Sequence, residues 1–334
     1  MKANALILLV FIFFSCARDE SIPALTPYEI VIPVRFPPIP VIHNNPLTEE
    51  GVELGRMLFY DPILDKDNAR SCATCHQQKF AFSSPDHEKH GLSVSIMPHF
   101  NFAWDNAFLW EGKIEGTLED IMLFEIMEFF QTDLEQINKH EKYPELFRQV
   151  FNVTKIDYPD IARALAQFEK TLISADSKFD KFSKKEIELS EQEFRGYNLF
   201  FSEDGDCFHC HGTVLFKDNL FHNNGLNDSF NEQNYGRYNV TGDENDKGKF
   251  RTPSLRNIAL TAPYMHDGRY STLREVLDFY SDHVNFTEYT DPLMNHEGGI
   301  NLTNEQKEDV IAFLKTLTDS TFINNPQYSN PFLE

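Results

Sequence analysis

The sequence predicts a mainly α-helical protein built of two similar domains in tandem. Three observations support this prediction. The 334 residues suffice for two domains of ordinary size, one short cysteine–histidine motif occurs twice, and each copy stands between two helical patterns. A hydrophobic content of 41%, with 31 Phe, is enough for packed cores. We therefore expect each half of the chain to fold around its own copy of the motif.

Helical patterns flank both copies of the motif. Residues 48–61 precede the first copy and residues 159–174 follow it, and each stretch places apolar residues on one face at helical spacing. Pro159 suits the first turn of the second of these helices. Residues 190–201 precede the second copy and residues 302–319 follow it, and each begins with a capping box. The order of helix, motif, loops and helix thus occurs twice.

The N-terminal segment predicts export. Lys2 and the apolar run at 5–14 have the pattern of a signal peptide, and the run is too short for an ordinary membrane-spanning helix. Ser15 followed by Cys16 resembles a bacterial lipobox, in which the cysteine is acylated after cleavage. We expect a periplasmic or cell-envelope lipoprotein, attached to a membrane only through lipid on Cys16. A plain signal peptide cut elsewhere is the alternative.

These features divide the chain into four segments. Residues 1–15 form the signal peptide, and the proline-rich residues 16–45 are predicted to be an extended tether. A polar stretch at 174–184 marks the junction between the domains. The N-terminal domain accordingly covers 46–178 and the C-terminal domain 179–334.

The charge balance is strongly acidic. The chain has 52 Asp and Glu against 30 Lys and Arg, which gives a net charge of −22. This argues against a nucleic-acid partner, because the phosphate backbone favours clustered Lys and Arg. It favours a small basic partner, such as an electron carrier with a positive docking face. The alternative is that the charge serves solubility alone.

The cysteines define the class of cofactor. Apart from Cys16 they form two C-x-x-C pairs, and His follows each pair directly. C-x-x-C-H is the attachment signature of haem c, in which two thiols add to the vinyl groups and the imidazole binds the iron. Disulfides or a four-thiolate zinc site would not require these histidines. We therefore predict two cytochrome c-like domains, each with one covalently attached haem c. The motif residues are Cys72, Cys75 and His76 in the first domain and Cys207, Cys210 and His211 in the second.

The second half of the chain resembles a known family. Residues 250–280, together with both C-x-x-C-H motifs and residues 215–226, closely resemble the bacterial dihaem cytochrome c peroxidases and their MauG-like relatives. The similarity extends from about residue 46 to the C-terminus. The resemblance implies an N-terminal haem that reacts with peroxide, a C-terminal haem that relays electrons, a tryptophan between them and often a calcium ion.

The resemblance also implies iron ligands in the second domain. His211 is the proximal ligand, and Tyr280 ends an apolar helix face at the position where the peroxidases have Met and MauG-like enzymes have Tyr. A phenolate on iron lowers the reduction potential and stabilises high-valent states. The alternatives are that Tyr280 is an ordinary core residue, or that Met265 is the ligand instead.

In the first domain the resemblance implies His76 as the proximal ligand. His90 is at about the right distance from the motif for a distal histidine that leaves on reductive activation, and His87 is the second candidate. Histidines in a polar loop are more often solvated. Trp110 falls at the position of the inter-haem tryptophan, although a buried tryptophan is commonly a core residue.

Two departures from the family pattern concern catalysis and calcium. Peroxide cleavage needs an acid–base group, and the family glutamate falls on Gln131, which cannot transfer a proton. Glu128 is the predicted substitute, followed by Glu125, and both could instead be surface carboxylates.

The family calcium site is the second departure. Its asparagine appears here as Ile96, whereas Thr261 and Pro263 occupy the other ligand positions. The sequence therefore predicts calcium only as an optional cofactor.

These features lead to three functional hypotheses. The leading one is a dihaem peroxidase that reduces hydrogen peroxide to water, with electrons relayed through the C-terminal haem from a small donor such as cytochrome c or a cupredoxin. The second is a MauG-like oxidase that acts on a protein or organic substrate. The third is a non-enzymatic dihaem electron-transfer cytochrome, which the loss of the family glutamate favours. Family peroxidases are often dimers, so a homodimer is an expected state.

Overall fold

The computed structural model describes residues 24–39, 45–294 and 299–333. The predicted signal peptide and the lipidation site Cys16 lie outside the described residues. The described chain is mainly helical, as predicted, with little strand. Among the described residues, no helix is long and apolar enough to cross a membrane.

The helices follow one another in two groups around the two motifs. The N-terminal group comprises α1 (Glu49–Tyr60), α2 (Cys72–Cys75), α3 (Leu118–Phe124), α4 (Leu134–Asn138), α5 (Tyr143–Phe151) and α6 (Tyr158–Thr171). The C-terminal group comprises α7 (Lys178–Ser183), α8 (Glu191–Phe200), α9 (Phe208–His211), α10 (Tyr238–Thr241), α11 (Leu273–Asp282), α12 (Asn304–Lys315) and α13 (Ser320–Ile323).

The strands form two short antiparallel pairs. In the first pair, β1 (Ala107–Phe108) lies beside β2 (Ile114–Glu115), and in the second pair, β3 (Phe221–His222) lies beside β4 (Phe250–Arg251). Each pair is only two residues long, so the strands brace loops and do not form a sheet layer.

Local sequence signals explain where the main helices begin. Thr48 caps α1 by accepting a hydrogen bond from the backbone N–H of Gly51. Reciprocal capping boxes begin α8 at Ser190, α11 at Thr272 and α12 at Thr303. These helices occupy the stretches in which the sequence shows apolar residues at helical spacing.

Each group of helices buries its own hydrophobic core. In both cores the helix before the motif crosses the closing helix at a glycine. A Cβ atom on Gly55 of α1 would lie 2.0 Å from the carbonyl oxygen of Ala164 in α6, and one on Gly196 of α8 would lie 1.9 Å from that of Asp309 in α12. Only a glycine allows backbones to approach this closely. The first core includes Leu54, Leu58, Ile121, Phe147, Leu165 and Phe168, and the second includes Phe200, Phe216, Leu277, Val310, Phe313 and Leu314.

The C-terminal residues return to the first core. Phe322 is 2% exposed and belongs to the first hydrophobic core. Tyr60 donates to the carbonyl oxygen of Tyr328 at 2.7 Å, and Gln78 donates to that of Asn325 at 2.8 Å. The segment predicted as the end of the C-terminal domain thus also packs on the N-terminal helices.

Residues 24–39, which we call the N-terminal strap, lie against both groups of helices. Phe36 is 8% exposed and packs edge-on against Trp104, with 5.2 Å between ring centroids, and beside Leu215. The indole N–H of Trp104 donates to the carbonyl oxygen of Pro37 at 2.7 Å. The described part of the predicted tether is therefore a packed segment and not a free spacer, because an aromatic anchor fastens it at the junction.

Candidate haem sites

The two motif histidines are held in the same way. His76 follows α2 and its Nδ1 donates to the carbonyl oxygen of Phe82 at 3.0 Å, while His211 ends α9 and its Nδ1 donates to that of Phe216 at 2.9 Å. This bond fixes the tautomer and leaves Nε2 with its lone pair free to bind a metal. Burial lowers the pKa of both histidines, so each is neutral, as an iron ligand must be.

The four motif cysteines form no disulfide bond. Burial raises the pKa of Cys72 and Cys75, and it raises that of Cys207 and Cys210 to about 12. The groups of described residues that could hold a metal ion do not bring the two pairs together, so a four-thiolate zinc site does not form. A pair of neutral thiols beside a neutral imidazole with a free nitrogen fits covalent haem c at both places.

A second histidine lies at the first motif. The ring of His99 stacks on that of His76, with 3.5 Å between centroids, and its Nδ1 hydrogen-bonds to the carboxylate of Glu169 at 2.9 Å. The Glu169 side chain is 1% exposed. Sequence reasoning missed this pair because no local pattern connects a loop histidine with a glutamate on α6.

The two histidines predicted as distal ligands lie in different surroundings. His90 has a buried Nε2 without a hydrogen-bond partner among the described residues, and its charge contributes to lowering the pKa of His76. His87 has a buried, unpartnered Nδ1, but its ring packs against Gly268 of the C-terminal group. A Cβ atom on Gly268 would lie 2.6 Å from His87 Cε1. Iron ligation by either residue stays a prediction.

The three candidate acid–base residues differ in their burial. Glu125 begins a π-helical turn, Glu125–Phe129, and burial raises its pKa to about 7, although the charge of His99 acts in the opposite direction. π-Helical turns are frequent at functional sites. Glu128 and Gln131 are both exposed, and the Gln131 side chain accepts a hydrogen bond from Lys66 at 2.7 Å.

Tyr280 and Met265 both line one cavity of about 230 Å³ at the second motif, together with His211. The side-chain amide of Asn224 donates to the Tyr280 oxygen at 3.0 Å and lies 3.8 Å from the Met265 sulfur. Burial raises the pKa of Tyr280 to about 12, and the Asn224 bond acts in the opposite direction. Apolar side chains, including Leu277, Val310 and Leu314, complete much of the wall.

Trp110 also borders this cavity, although it belongs to the first half of the chain. Its indole N–H donates to the carbonyl oxygen of Ser95 at 2.8 Å, and its own carbonyl accepts from the backbone N–H of Arg251 at 2.9 Å. The residue is thus fixed between the two halves, and its role as an electron bridge stays a prediction.

The three residues at the family's calcium positions lie on the same cavity. Ile96, Thr261 and Pro263 all contribute to its wall. Ile96 is 7% exposed and its side chain has no oxygen, while the Thr261 hydroxyl lies 3.4 Å from the carbonyl oxygen of Ile258. Hard cations require oxygen ligands, so calcium also stays a prediction.

A histidine between two carboxylates stands beside Cys210. The ring nitrogens of His222 lie 2.6 Å from Asp291 and 2.8 Å from Asp218. Burial would lower the pKa of His222, but hydrogen bonds and charge from both carboxylates outweigh it and raise the pKa to about 9. The imidazolium form therefore prevails at neutral pH. Sequence reasoning did not single out this cluster, because Asp291 is distant in the chain.

Comparisons with known proteins identify relatives of this chain. The family model described as di-haem cytochrome c peroxidase matches residues 49–188. The methylamine utilization protein MauG of Methylorubrum extorquens is 31% identical over 84% of this chain and 81% of its own length. The cytochrome c551 peroxidase of Nitrosomonas europaea is 29% identical over 88% of this chain and 86% of its own length.

Two solved structures extend the likeness to the fold. A MauG-like protein associated with microbial copper homeostasis has a TM-score of 0.85 and 33% identity, and the match covers 92% of this chain and 100% of that one. The diheme peroxidase BthA of Burkholderia thailandensis has a TM-score of 0.71 at 19% identity over 84% and 88%, which supports the fold alone.

The helical fold and the two matched histidine–dithiol sites define a c-type haem oxidoreductase. More specifically, the chain belongs to the di-haem cytochrome c peroxidase family, and membership of that family implies two haem c cofactors.

Proposed function

We propose that this protein reduces hydrogen peroxide to water at the first haem site, with electrons relayed through the second site. One observation supports this assignment above others: titratable groups are buried at the first motif, where Glu125, His99 and Glu169 adjoin the motif residues. Proton transfer between the two peroxide oxygens needs such groups. Haem, when bound, supplies the redox chemistry that cleaves the oxygen–oxygen bond.

The motif residues would hold the cofactors. In the first site His76 binds iron through Nε2, and in the second site His211 does so. Tyr280 is the proposed sixth ligand of the second iron, and Asn224 keeps its oxygen oriented through the 3.0 Å hydrogen bond. Met265 lines the same cavity but lies farther from the Asn224 amide. We therefore prefer Tyr280.

We propose Glu125, in place of Glu128 or Gln131, as the group that moves the proton. Its pKa of about 7 allows both release and uptake of a proton near neutral pH. Its charge raises the pKa of both Cys72 and Cys75, which supports a position near the first haem. The exposed Glu128 and Gln131 side chains have ordinary surface surroundings.

The proposed electron path runs from the second site to the first through Trp110. Its backbone is bonded to Arg251 on one side and its indole to Ser95 on the other, so both halves of the chain fix its orientation. The electron donor is proposed to be a small basic protein, such as cytochrome c or a cupredoxin, because the chain carries a net charge of −22. The N-terminal sequence supports a periplasmic or cell-envelope lipoprotein.

A MauG-like oxidase is the second candidate, and Tyr280 is the observation that favours it. A tyrosinate ligand stabilises high-valent iron, which permits two oxidising equivalents to be used on a protein or organic substrate. A purely electron-carrying cytochrome is the third candidate, because the family glutamate position is the exposed Gln131.

Stopped-flow absorbance of the haem-loaded protein with hydrogen peroxide separates these candidates. Reaction only after half-reduction supports the peroxidase, with a displaceable ligand such as His90. A rapid Soret change in the fully ferric state supports the MauG-like oxidase. Absence of any reaction in both states rejects the two enzymatic proposals and leaves the electron carrier.

A further inference from the structure

A buried ion cluster joins the two halves of the chain and carries an uncompensated positive charge. The carboxylate of Asp105 pairs with the Lys217 ammonium and, at 2.6 Å, with the Arg251 guanidinium. The three side chains are 1%, 1% and 3% exposed, respectively. Two cations thus share one anion, and a buried charge without a counter-charge is unfavourable.

The three guanidinium nitrogens of Arg251 differ in their hydrogen bonding. Nη1 donates to the carbonyl oxygen of Ala107 and Nη2 to Asp105, both at 2.6 Å. Nε is buried and has no hydrogen-bond partner among the described residues. Buried donors in native proteins are nearly always bonded, so this one indicates a missing acceptor.

Arg251 contributes to the wall of the cavity that also contains His211 and Tyr280. Lys217, in contrast, is not among the residues of that wall, and its ammonium is occupied by Asp105 and by the carbonyl oxygen of Asn101. Arg251 therefore has the unpartnered nitrogen, shares the excess positive charge and borders the second haem site.

We propose that Arg251 binds a carboxylate of the group held in this cavity, namely a propionate of the second haem. The largely apolar wall suits the macrocycle, and the propionates are the anionic groups that haem carries. Guanidinium is the side chain best suited to pair with a carboxylate. Because the backbone N–H of Arg251 donates to the carbonyl oxygen of Trp110, a carboxylate held by Arg251 would lie in the neighbourhood of Trp110.

This proposal rests on the family's haem content and not on peroxide turnover. It assigns Arg251 as a positioning residue, which sets the orientation of the second haem relative to the proposed electron path. The test therefore measures a property of the haem carboxylate and not the rate of peroxide reduction.

The experiment compares Arg251→Gln with Lys217→Met in the full, haem-loaded chain. Both variants remove one positive charge from the cluster and leave Asp105 with one cation. Resonance Raman difference spectra, with the second haem selectively reduced, report the propionate bending band. Potentiometry between pH 5 and pH 9 reports whether the midpoint potential of that haem depends on propionate protonation.

We expect Arg251→Gln to shift the propionate band and to make the midpoint potential newly pH-dependent, because the carboxylate loses its cation. Lys217→Met should leave the band and the pH dependence unaltered. Equal changes in both variants would indicate a general charge effect and overturn the proposal, as would no change in either variant.

The double variant Asp105→Asn/Arg251→Gln covers the case in which Arg251→Gln alone does not fold. It retains the net charge of the cluster through Lys217, and it replaces the Asp105 carboxylate and the Arg251 guanidinium by neutral amides. The proposal requires the same band shift in this variant, and an unshifted band overturns it. If the variants show the expected band shift but the unmutated protein does not react with hydrogen peroxide, the proposed function alone is rejected.

Discussion

The two candidate haem sites hold the motif histidine in the same way, but the side chains around that histidine differ between them. In both, the motif histidine gives its Nδ1 proton to a backbone carbonyl a few residues downstream. At the first site this histidine has the ring of His99 stacked on it, with Glu125 and His90 nearby. At the second site the cavity wall has a phenol, Tyr280, fixed by an amide.

This difference indicates how one motif can serve two purposes. A peroxide-reacting iron needs an accessible position and mobile protons, whereas an electron-relaying iron benefits from fixed ligands and little rearrangement. The motif histidine is held alike in both sites, so the proposed division of roles rests on the remaining residues of each site.

The largest expected effect concerns the acid–base group at the first site. Glu125→Gln should slow the reaction with hydrogen peroxide by about 10²- to 10⁴-fold, because it removes the proton carrier while it preserves size and shape. Stopped-flow Soret absorbance measures this rate. Glu128→Gln, three residues along the same helical turn but exposed, should retain the parental rate. If only Glu128→Gln slows the reaction, Glu128 is the acid–base group, as the sequence predicted.

The second prediction concerns Tyr280, the proposed ligand at the second site. Tyr280→Phe should abolish the tyrosinate signature in the absorbance and EPR spectra of one haem and raise its reduction potential, because an anionic ligand is lost. Spectroelectrochemistry measures both. Met265→Leu serves as the matched variant on the same cavity wall, and we expect its spectra to be unchanged. If only Met265→Leu alters the spectra, the thioether is the ligand and Tyr280 is a core residue.

Phe36 anchors the N-terminal strap at the junction of the two halves of the chain. Phe36→Ala should lower the free energy of unfolding by about 3 kcal/mol, since it removes a buried aromatic ring at the junction. Val34→Ala, at a side chain that is 76% exposed, should have little effect. Denaturant unfolding followed by haem absorbance and by circular dichroism measures both. Equal stabilities of the two variants would mean that the strap is only loosely attached.

A smaller effect concerns pH and the second site alone. The pKa of His222 is raised to about 9, so its ion pairs stabilise the fold fully below its ordinary pKa of about 6.5. That contribution, on the order of 1–3 kcal/mol, is lost as the pH rises through 9. Denaturant unfolding at a series of pH values measures it. Asp291→Asn should reduce the pH dependence, and an undiminished dependence would assign it to other groups.

Much of the fold was predictable because its signals are local. Capping boxes predicted where α8 and α12 begin, and apolar spacing predicted α1 and α6, since each signal depends on residues within a few positions of one another. For the N-terminal strap the sequence predicted an extended tether, and it did not predict the contact of Phe36 with Trp104, because that contact joins residues far apart in the chain.

The same reasoning applies to the candidate site. His76 and His211 were predictable because covalent haem attachment requires its thiols and imidazole within five consecutive residues. The preference among Glu125, Glu128 and Gln131 was not, because it depends on which face of a π-helical turn is buried.

The sequence by itself therefore determined the cofactor class, the two histidine–dithiol motifs and the main helices. Only the tertiary structure decided that Asp105 meets Lys217 and Arg251, and that Asn224 meets Tyr280. The physical reason is that covalent attachment and helix capping are short-range, whereas burial, ion pairing and the orientation of a side chain toward a cavity depend on segments brought together by folding.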